Sequence, residues 1–287
     1  MILLTGAAGK TGRTLIKNLQ KRKAEIRALA KNAEQSSLLT DLGVKETVIG
    51  DLHDIKALQE AVEGTDALYF ICPNMMPDEL EVGKKMISSA KKAGVKRFIY
   101  HSVMHPQVEA MPHHWQKMRV EEALFESGID FTILQPCAYM QNIQASLNAI
   151  LEDGIYFIPY NTSARISIVD LEDVAEVAAT VLTGDGYSNA VFELSGPAPL
   201  SQDEVASIIE KVSNKKVQAR LLDRGQWELD ARKNIHLEYQ IQTLLKMFEY
   251  YEKFDFIGNP YQLEHLLGRP ATSFEVALRK MLVQLNK

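Results

Sequence analysis

Three glycines near the amino terminus have a spacing that could bind phosphate groups. The segment TGAAGKTG (5–12) places Gly6, Gly9 and Gly12 at intervals of three residues. It also contains Gly-Lys-Thr, the end of the phosphate-binding loop of nucleotide triphosphatases, but that loop needs a glycine at the position that Leu4 occupies. The spacing instead fits a variant of the dinucleotide fingerprint. Its glycines permit a tight turn, a close approach of the backbone to a pyrophosphate, and close packing of a helix on a strand.

The fingerprint has this meaning only where a strand precedes the glycines and a helix follows them. The apolar run ILLT (2–5) is typical of a strand, and residues 10–22 place Leu15, Ile16 and Leu19 on one helical face. Backbone N–H groups and the positive end of the helix dipole would then hold the phosphates of a dinucleotide. The predicted contacts in this turn are Gly6, Ala8, Gly9, Lys10, Thr11, Gly12 and Arg13.

The same alternation of apolar strand and amphipathic helix continues along the chain. After the first strand, apolar runs occur at 25–30, 44–50, 66–72, 96–103 and 130–136, and helical patterns separate them. Six buried strands joined by helices predict a parallel sheet that is covered on both faces. With a glycine-rich first turn, the sequence predicts an α/β protein with a Rossmann-type, doubly wound parallel sheet.

The pattern changes in the second half of the chain, where short strands and longer helices follow each other. We therefore predict a dinucleotide-binding Rossmann domain at 1–153, to which 163–184 return, and a smaller mixed α/β C-terminal lobe at 154–287. In this prediction the smaller lobe includes a strand at 189–196 and a helix capped by Ser201. Because ligands of such sheets bind at the carboxyl ends of the strands, we expect a small-molecule acceptor in the cleft between the lobes.

The end of the second strand indicates which dinucleotide is bound. NAD sites usually carry an acidic residue there for the ribose 2′-hydroxyl, whereas this chain has Ala30 and Lys31. A lysine suits a 2′-phosphate and Arg13 could add a second charge, so the sequence favours NADP(H) over NAD(H). The residues after the third and fourth strands are further candidates for cofactor contact: Asp51 and Leu52 near the adenine, and Ile71, Cys72 and Pro73 near the nicotinamide-side ribose.

Composition and charge argue against several other classes of function. The formal net charge is −5, from 32 basic and 37 acidic residues, and the short basic runs do not indicate binding to nucleic acid. Cys72 and Cys137 have no metal-binding or redox spacing and are expected to be buried thiols. The histidines between 101 and 114 lack a helical pairing with a carboxylate, so no metal site is predicted. No apolar stretch approaches the roughly 20 residues of a membrane span. A first strand at Ile2 leaves no room for a signal peptide, so we expect a cytoplasmic protein.

Several motifs together resemble the NmrA-like branch of the atypical short-chain dehydrogenases/reductases, and they follow one another along nearly the whole chain. They are GAAGKTGR, the Gly-Asp at 50–51, VKRFIYHSV, HWQKMRVEEALFESGIDFTILQPCAYMQN, DVAEVAATVL and LLGRPATSFE. The resemblance implies an NAD(P)-binding fold. It also implies a family whose members are reductases, including quinone reductases, or redox-sensing regulators that bind the dinucleotide without turning it over.

The resemblance implies roles for residues that follow the fifth and sixth strands. Short-chain reductases use a serine and a Tyr-x-x-x-Lys pair, in which the tyrosine donates a proton while the lysine lowers the tyrosine pKa and contacts the ribose. Ser102 and Lys117 match this pattern, but His113 stands at the tyrosine position. An imidazole with an ordinary pKa of about 6.5 could supply the proton; alternatively, His113 is a partly exposed residue without a catalytic task. Pro136 and Tyr139 are candidates for the nicotinamide and substrate pocket, although Tyr139 could equally be a core residue.

Two functional hypotheses stay open at this point. In the first, the protein is an NADPH-dependent oxidoreductase for a quinone-like or other small acceptor, whose flat ring Tyr139, Trp227 or Phe248 would hold. Loss of the tyrosine is tolerable for such an acceptor because its protons can come from water or a nearby histidine. In the second, it is a non-catalytic NADP(H)-binding redox sensor that contacts a protein partner. The sequence favours the oxidoreductase, and a nucleotide-sugar epimerase is disfavoured because it would need the tyrosine. A homodimer is neither predicted nor excluded.

Overall fold

The computed structural model describes residues 1–285. The elements up to residue 136 are β1 (Ile2–Leu4), α1 (Lys10–Lys21), β2 (Ile26–Ala30), α2 (Ala33–Asp41), β3 (Glu46–Ile49), α3 (Ile55–Val62), β4 (Ala67–Phe70), α4 (Glu79–Lys92), β5 (Arg97–His101), α5 (Pro112–Phe125) and β6 (Phe131–Pro136). After them come β7 (Ala138–Tyr139), a 3₁₀ helix (Met140–Ala145), α6 (Leu147–Asp153), β8 (Ile155–Ile158), β9 (Arg165–Ile166), β10 (Ile168–Val169), α7 (Leu171–Thr183), β11 (Ala190–Leu194), β12 (Leu200–Ser201), α8 (Gln202–Ser213), β13 (Gln218–Leu221), α9 (Arg224–Asn234), α10 (Glu238–Phe254), α11 (Tyr261–Leu267) and α12 (Phe274–Leu285). None of the described helices is both long and apolar enough to cross a membrane.

Seven strands form the main sheet, in the order β11-β6-β5-β4-β1-β2-β3. β1 lies between β2 and β4, with Ile2 opposite both Ile26 and Ala67 in parallel register. The chain therefore builds the sheet outward in one direction from β1 and then returns to build it in the other. This order creates a switch point at the carboxyl end of β1, which is where ligands of doubly wound sheets bind. The predicted fold class is confirmed.

The edge strand β11 is the main difference from the predicted arrangement. The segment 189–196 was expected in the smaller lobe, but its central residues pair with β6 in the main sheet. The Asn189 amide donates to the Phe131 carbonyl at 2.7 Å, and the Cys137 amide donates to the Leu194 carbonyl at 3.1 Å. An added strand gives the backbone groups on the outer side of β6 the hydrogen-bond partners that they would otherwise lack. The six predicted strands are therefore all present, and the sheet gains a seventh.

The strands read as continuous apolar runs because both faces of the sheet are covered. Leu3, Leu68, Phe70 and Phe98 are fully buried. Phe70 packs edge-on against Phe98, with their ring centroids 5.8 Å apart. Such runs are typical of parallel strands between helical layers. A sheet with one face exposed to solvent would instead show alternating polar and apolar residues.

The chain divides into two compact units by its internal contacts. The first contains Met1–Gln107, His113–Gln135 and Val174–Phe192; the second contains Val108–Pro112, Pro136–Asp173 and the chain from Glu193 onward. The sequence-based division placed a boundary after residue 153 and returned 163–184 to the first domain. These units show which residues pack together, but not which of them bind the cofactor and which bind the acceptor. The predicted division into a cofactor-binding domain and an acceptor-binding lobe therefore stays a prediction.

Two sequence signals in the second half have clear structural causes. The predicted Ser201 cap is confirmed, because its side chain accepts from the Glu204 amide at 3.1 Å while the Glu204 carboxylate accepts from the Ser201 amide at 2.7 Å. Two residues of the motif GRPAT (268–272) donate hydrogen bonds to the buried Asp173 carboxylate in the first turn of α7. That carboxylate accepts from Arg269 at 2.9 Å and from the amide and hydroxyl of Thr272 at 2.7 and 2.9 Å. These bonds satisfy a charge that would otherwise be costly to bury.

Candidate active site

The glycine-rich turn joins β1 to α1 and leaves no room for side chains at two of its glycines. Gly6 has a φ of +57°, and a Cβ there would lie 2.6 Å from Cγ2 of Ile71. A Cβ at Gly12 would lie 2.5 Å from Cα of Ala7. The first turn of α1 carries Lys10 and Arg13 and no acidic residue. This turn therefore has the close backbone approach, the helix start and the positive charge that a diphosphate needs.

The ends of β1 and β4 are tied together beside this turn. The Thr5 hydroxyl donates to the Ile71 carbonyl and accepts from the Ile71 amide, both at 2.8 Å. Of the other two residues predicted here, Cys72 is buried and Pro73 is exposed. Burial raises the pKa of the Cys72 thiol, with Glu79 adding to the shift, so this cysteine is not a thiolate at neutral pH. The structure thus brings Gly6 and Ile71, two of the predicted cofactor contacts, close together.

The predicted adenine side lies at the ends of β2 and β3. Lys31 and Arg13 are exposed, and β1 and β2 are neighbouring parallel strands, so their carboxyl ends share one edge of the sheet. Asp51 accepts hydrogen bonds from the backbone and ring of His53, which lower its pKa. The other ring nitrogen of His53 lies 2.9 Å from Asp78, and these two carboxylates raise the pKa of the imidazole. His53 was not predicted as part of this edge.

Ser102 follows β5 and is almost completely buried. Its hydroxyl donates to the Glu121 carboxylate, which also accepts from the Gln135 amide nitrogen at 2.9 and 3.0 Å. Burial raises the pKa of Glu121. The serine is therefore held by a carboxylate on α5, and Glu121 and Gln135 belong to its surroundings.

Lys117 is buried on α5 and points its ammonium group at the end of β5. Its Nζ donates to Glu79 Oε1 at 2.7 Å and to the His101 carbonyl at 3.2 Å. The same Glu79 oxygen accepts from the Tyr100 hydroxyl at 2.8 Å. Two of the three donors of the ammonium group are thereby used, which leaves one for a ligand.

His113 is buried, not partly exposed, with 4% of its surface accessible. Burial lowers its pKa to about 2, and electrostatic interactions with His114 and Lys117 add to the shift. The alternative in which His113 is an imidazolium acid with an ordinary pKa does not fit this burial, because the ring is neutral at physiological pH. The His113 ring packs edge-on against His114 at 4.3 Å, and its Nδ1 is buried without a hydrogen-bond partner among residues 1–285.

The neighbouring histidines are also neutral and do not form a metal site in the described chain. His101 bonds to the Tyr69 hydroxyl, and burial lowers its pKa to about 3. A His114 ring nitrogen lies 3.2 Å from the His105 carbonyl, and burial lowers the pKa of His114 to about 4. Among residues 1–285, no group of three or more His, Cys, Asp or Glu side chains is arranged to hold a metal ion.

Tyr139 belongs to the second unit, as does Pro136. Tyr139 lines a cavity of about 300 Å³ in that unit, together with Phe248 and with Tyr156, Tyr160 and Tyr251. The described residues that line this cavity are apolar, aromatic or neutral polar. Trp227 stacks edge-on against Phe248 at 4.8 Å and does not itself line the cavity. Of the three aromatic residues predicted to hold a flat ring, two therefore face one cavity and the third supports it.

The family follows from a comparison over nearly the whole length. The model of the NmrA-like family matches residues 1–277. This chain belongs to the NmrA-like family. The predicted resemblance is confirmed, and the motifs that carried it include the glycine turn and the segments that hold Ser102, Lys117 and Asp173.

Three relatives of this NmrA-like protein have named activities. The NAD(P)H azoreductase of Xenophilus azovorans is 32% identical over 223 residues, which cover 76% of this chain and 75% of the relative. Quinone oxidoreductase 2 of Escherichia coli is 28% identical over 276 residues, covering 95% of this chain and 96% of the relative. Its structure in complex with NADPH has a TM-score of 0.86 at 25% identity and covers both chains completely. The triphenylmethane reductase of Citrobacter sp. complexed with NADP(H) has a TM-score of 0.87 at 26% identity, covering 98% of this chain and 100% of the other. These comparisons support NAD(P)H binding by this fold.

Sequence reasoning missed the carboxylates of the NmrA-like site. Glu79 contacts Lys117 and Glu121 contacts Ser102, but neither carboxylate stands at the serine, tyrosine or lysine position to which the resemblance assigns a role. Glu79 is the first residue of α4, where acidic residues commonly favour the helix dipole, so its position gave no signal of burial. Glu121 lies four residues after Lys117 on the same helix, and that spacing could have indicated a shared face.

Proposed function

We propose that this NmrA-like protein is an NADPH-dependent oxidoreductase that reduces a quinone-like or other small acceptor. The main observation is the glycine-rich turn, where Ile71 and Ala7 lie so close to Gly6 and Gly12 that neither position has room for a side chain. The backbone amides of this turn are therefore not covered by side chains of these two residues. The relatives that are named as NAD(P)H-dependent reductases support the same conclusion. When bound, the cofactor would supply a hydride; the protein has to hold it, orient the acceptor and manage a proton.

The residues of the turn would hold the diphosphate through backbone amides, with Lys10 and Arg13 adding positive charge. We propose that Lys31 contacts the 2′-phosphate of NADPH, since the acidic residue that would bind a free 2′-hydroxyl is missing at this position. Lys117 would offer its remaining N–H to the ribose hydroxyls. Asp51, Leu52, Ile71, Cys72, Pro73 and Pro136 stay proposed cofactor contacts.

We propose that His113 acts as a neutral hydrogen-bond donor to the acceptor oxygen. Its low pKa excludes a stored proton on the ring near neutrality, but a neutral imidazole still carries one N–H. Such a donor stabilises negative charge that develops on the acceptor, and the final proton then comes from water. We propose that Ser102, whose hydroxyl donates to Glu121, lies beside the nicotinamide and the acceptor.

We propose that the acceptor contacts the cavity of the second unit through Tyr139 and Phe248. A volume of about 300 Å³ can take one or two small rings, and its aromatic walls favour a flat ligand. The neutral lining disfavours a charged acceptor, because no opposite charge among the described lining residues would offset its desolvation.

One experiment tests the function directly. NADPH oxidation is followed with purified protein against a panel of quinones, azo compounds and aldehydes, for the wild type, Lys117→Met and, as control, the exposed Lys84→Met. We expect turnover of at least one quinone, its loss in Lys117→Met, and no change in Lys84→Met. Binding of NADPH without turnover of any acceptor would contradict the proposal.

A redox sensor is the second candidate, because a histidine replaces the proton-donating tyrosine and is neutral. A sensor would bind NADP(H) as tightly as a reductase does, would show no turnover, and would change its affinity for a protein partner or a second copy of the chain. Comparison of the oligomeric state and of captured partners with and without NADPH tests this alternative. The cytoplasmic location stays a prediction that cell fractionation can check.

A further inference from the structure

Glu79 is a fully buried carboxylate at the junction of three elements. It begins α4, its Oε1 accepts from Tyr100 on β5 and from Lys117 on α5, and its Oε2 has no hydrogen-bond partner within residues 1–285. The start of a helix favours negative charge. The Lys117 ammonium group lies 5.3 Å from the centre of the Tyr100 ring. Lys117 therefore contacts both Glu79 and the tyrosine that donates to Glu79.

The histidine, tyrosine and cysteine side chains around Lys117 carry no charge near neutral pH. Burial lowers the pKa of His101 to about 3 and that of His113 to about 2, so both rings are neutral. Burial raises the pKa of Tyr100 and of Cys72 well above their ordinary values.

Two further groups complete this environment. His114, on the same helix as Lys117, has a pKa lowered to about 4 and is neutral as well. Glu121, one turn further along α5, faces Ser102 and Gln135, and burial raises its pKa. Glu79 is therefore the acidic group in direct hydrogen-bond contact with the buried ammonium group.

We infer that Glu79 is a positioning residue, the counter-ion that keeps Lys117 charged and directs its remaining N–H to the cofactor. This inference rests on the proposed contact between Lys117 and the cofactor ribose. The bond to Glu79 and the bond to the His101 carbonyl fix two of the three donor directions, so the third direction is set by the protein. Glu79 acts through Lys117 and need not touch the cofactor.

Replacement of Glu79 by glutamine separates charge from shape. Glu79→Gln keeps an oxygen that can accept from Tyr100 and Lys117, but it removes the negative charge. Burial disfavours an ammonium group that has no counter-ion, so the variant should lose the Lys117 proton as the pH rises. Neutral Lys117 would be a poorer donor to the ribose, and NADPH binding should then become weaker at alkaline pH.

The test is the dissociation constant of NADPH between pH 6 and pH 9, measured by fluorescence titration. Glu79→Gln should bind within about threefold of the wild type at pH 6 and about tenfold more weakly at pH 9. Glu81→Gln, an exposed acid in the same helical turn, should follow the wild type throughout. Glu79→Asp, which keeps the charge, should keep the wild-type shape of the pH curve.

Lys117→Met separates the two possible failures. If this variant binds NADPH as the wild type does at every pH, the proposed role of Lys117 is wrong. If it binds weakly while Glu79→Gln parallels the wild type at all pH values, only the inference about Glu79 is overturned.

A stability measurement covers the case in which Glu79→Gln does not fold. In Lys117→Met the Glu79 carboxylate is buried without its counter-ion, and an uncompensated buried charge is strongly destabilising. The melting temperature of Lys117→Met at neutral pH should therefore lie below that of the wild type, and the double variant Lys117→Met/Glu79→Gln should recover most of the difference. Equal melting temperatures for Lys117→Met and wild type would overturn the pairing.

Discussion

Three buried histidines of the candidate site are uncharged at neutral pH. The pKa is lowered to about 3 for His101, to about 2 for His113 and to about 4 for His114, in each case chiefly by burial. In the unfolded chain the same rings titrate at about 6.5. Below that pH the unfolded state binds more protons than the folded state, so stability is lost as the pH falls. The histidine that replaces the expected tyrosine thus makes the site sensitive to acid.

His113→Gln should reduce this sensitivity. Between pH 7 and pH 5 one neutral buried histidine should cost about 2 kcal/mol of folding stability, because the gap from 6.5 to 5 is about 1.5 pH units at 1.36 kcal/mol each. Urea unfolding at the two pH values measures the loss for the wild type, for His113→Gln and for the exposed control His236→Gln. The loss should be smaller by about that amount in His113→Gln only. An equal loss in His113→Gln and wild type would show that the ring is protonated in the fold.

Lys31→Ala should change the choice of cofactor at the residue scale. Loss of a charge-assisted bond to the 2′-phosphate should weaken NADPH binding by about 1.5–3 kcal/mol, or at least tenfold, and leave NADH binding unchanged. Calorimetric titration with both cofactors measures this, with the exposed Lys17→Ala on α1 as control. A preference of the wild type for NADH, or an equal loss for both cofactors in Lys31→Ala, would contradict the assignment.

At the scale of elements, the geometry of the cofactor turn depends on how closely α1 approaches β1. Gly12 is buried in the first turn of the helix, and the Cβ of any other residue there would overlap the backbone of Gly6 and Ala7 at 2.5 to 2.6 Å. Backbone atoms cannot yield as a flexible side chain can, so α1 would have to move. Its N-terminal amides would then shift relative to the turn that precedes them.

Gly12→Ala should therefore weaken NADPH binding more than it weakens folding. Overpacking of this kind typically costs about 1–3 kcal/mol, and the displaced amides should lower cofactor affinity at least tenfold. Gly225→Ala, at an exposed glycine in the first turn of α9, is the matched control. Titration with NADPH and thermal melting of both variants give the two quantities. Wild-type affinity in a folded Gly12→Ala variant would mean that the phosphates bind elsewhere.

The elements were predictable to the extent that their periodicity is local. Apolar runs and the glycine spacing predicted the first six strands and a doubly wound parallel sheet, because a strand covered on both faces is apolar throughout. The place of β11 in the main sheet was not predictable, since strand pairing between distant segments leaves no local pattern. Lys117 and Ser102 were found through a motif and Glu121 could have been found from its spacing to Lys117, whereas Glu79 is recognisable only from the packing of α4 against β5 and α5.

At the scale of the whole molecule, the cavity proposed for the acceptor is lined by neutral side chains although the protein carries a net charge. The protein has a net charge of −5, yet the described residues around the cavity of the second unit are neutral. Burial raises the pKa of Tyr160 and Tyr251, which line the cavity, so both hydroxyls stay protonated at neutral pH. This lining favours a neutral acceptor over a charged one.

A neutral quinone should therefore be a better acceptor than its sulfonated form. The kcat/KM for the neutral compound should exceed that for the sulfonate at least tenfold, because the anion loses hydration without gaining a partner and meets a negatively charged protein. Phe248→Leu should raise KM for the neutral quinone, and Phe125→Leu, at an exposed phenylalanine of the first unit, should not. Equal kcat/KM values for the two quinones would contradict the acceptor site proposed here.

The most direct test of the account is calorimetric titration of the wild-type protein with NADPH and with NADP⁺. The account predicts saturable binding of one dinucleotide per chain, with a dissociation constant on the order of micromolar for NADPH. No binding of either form at millimolar concentration would contradict it, and the oxidoreductase and the sensor would both be excluded.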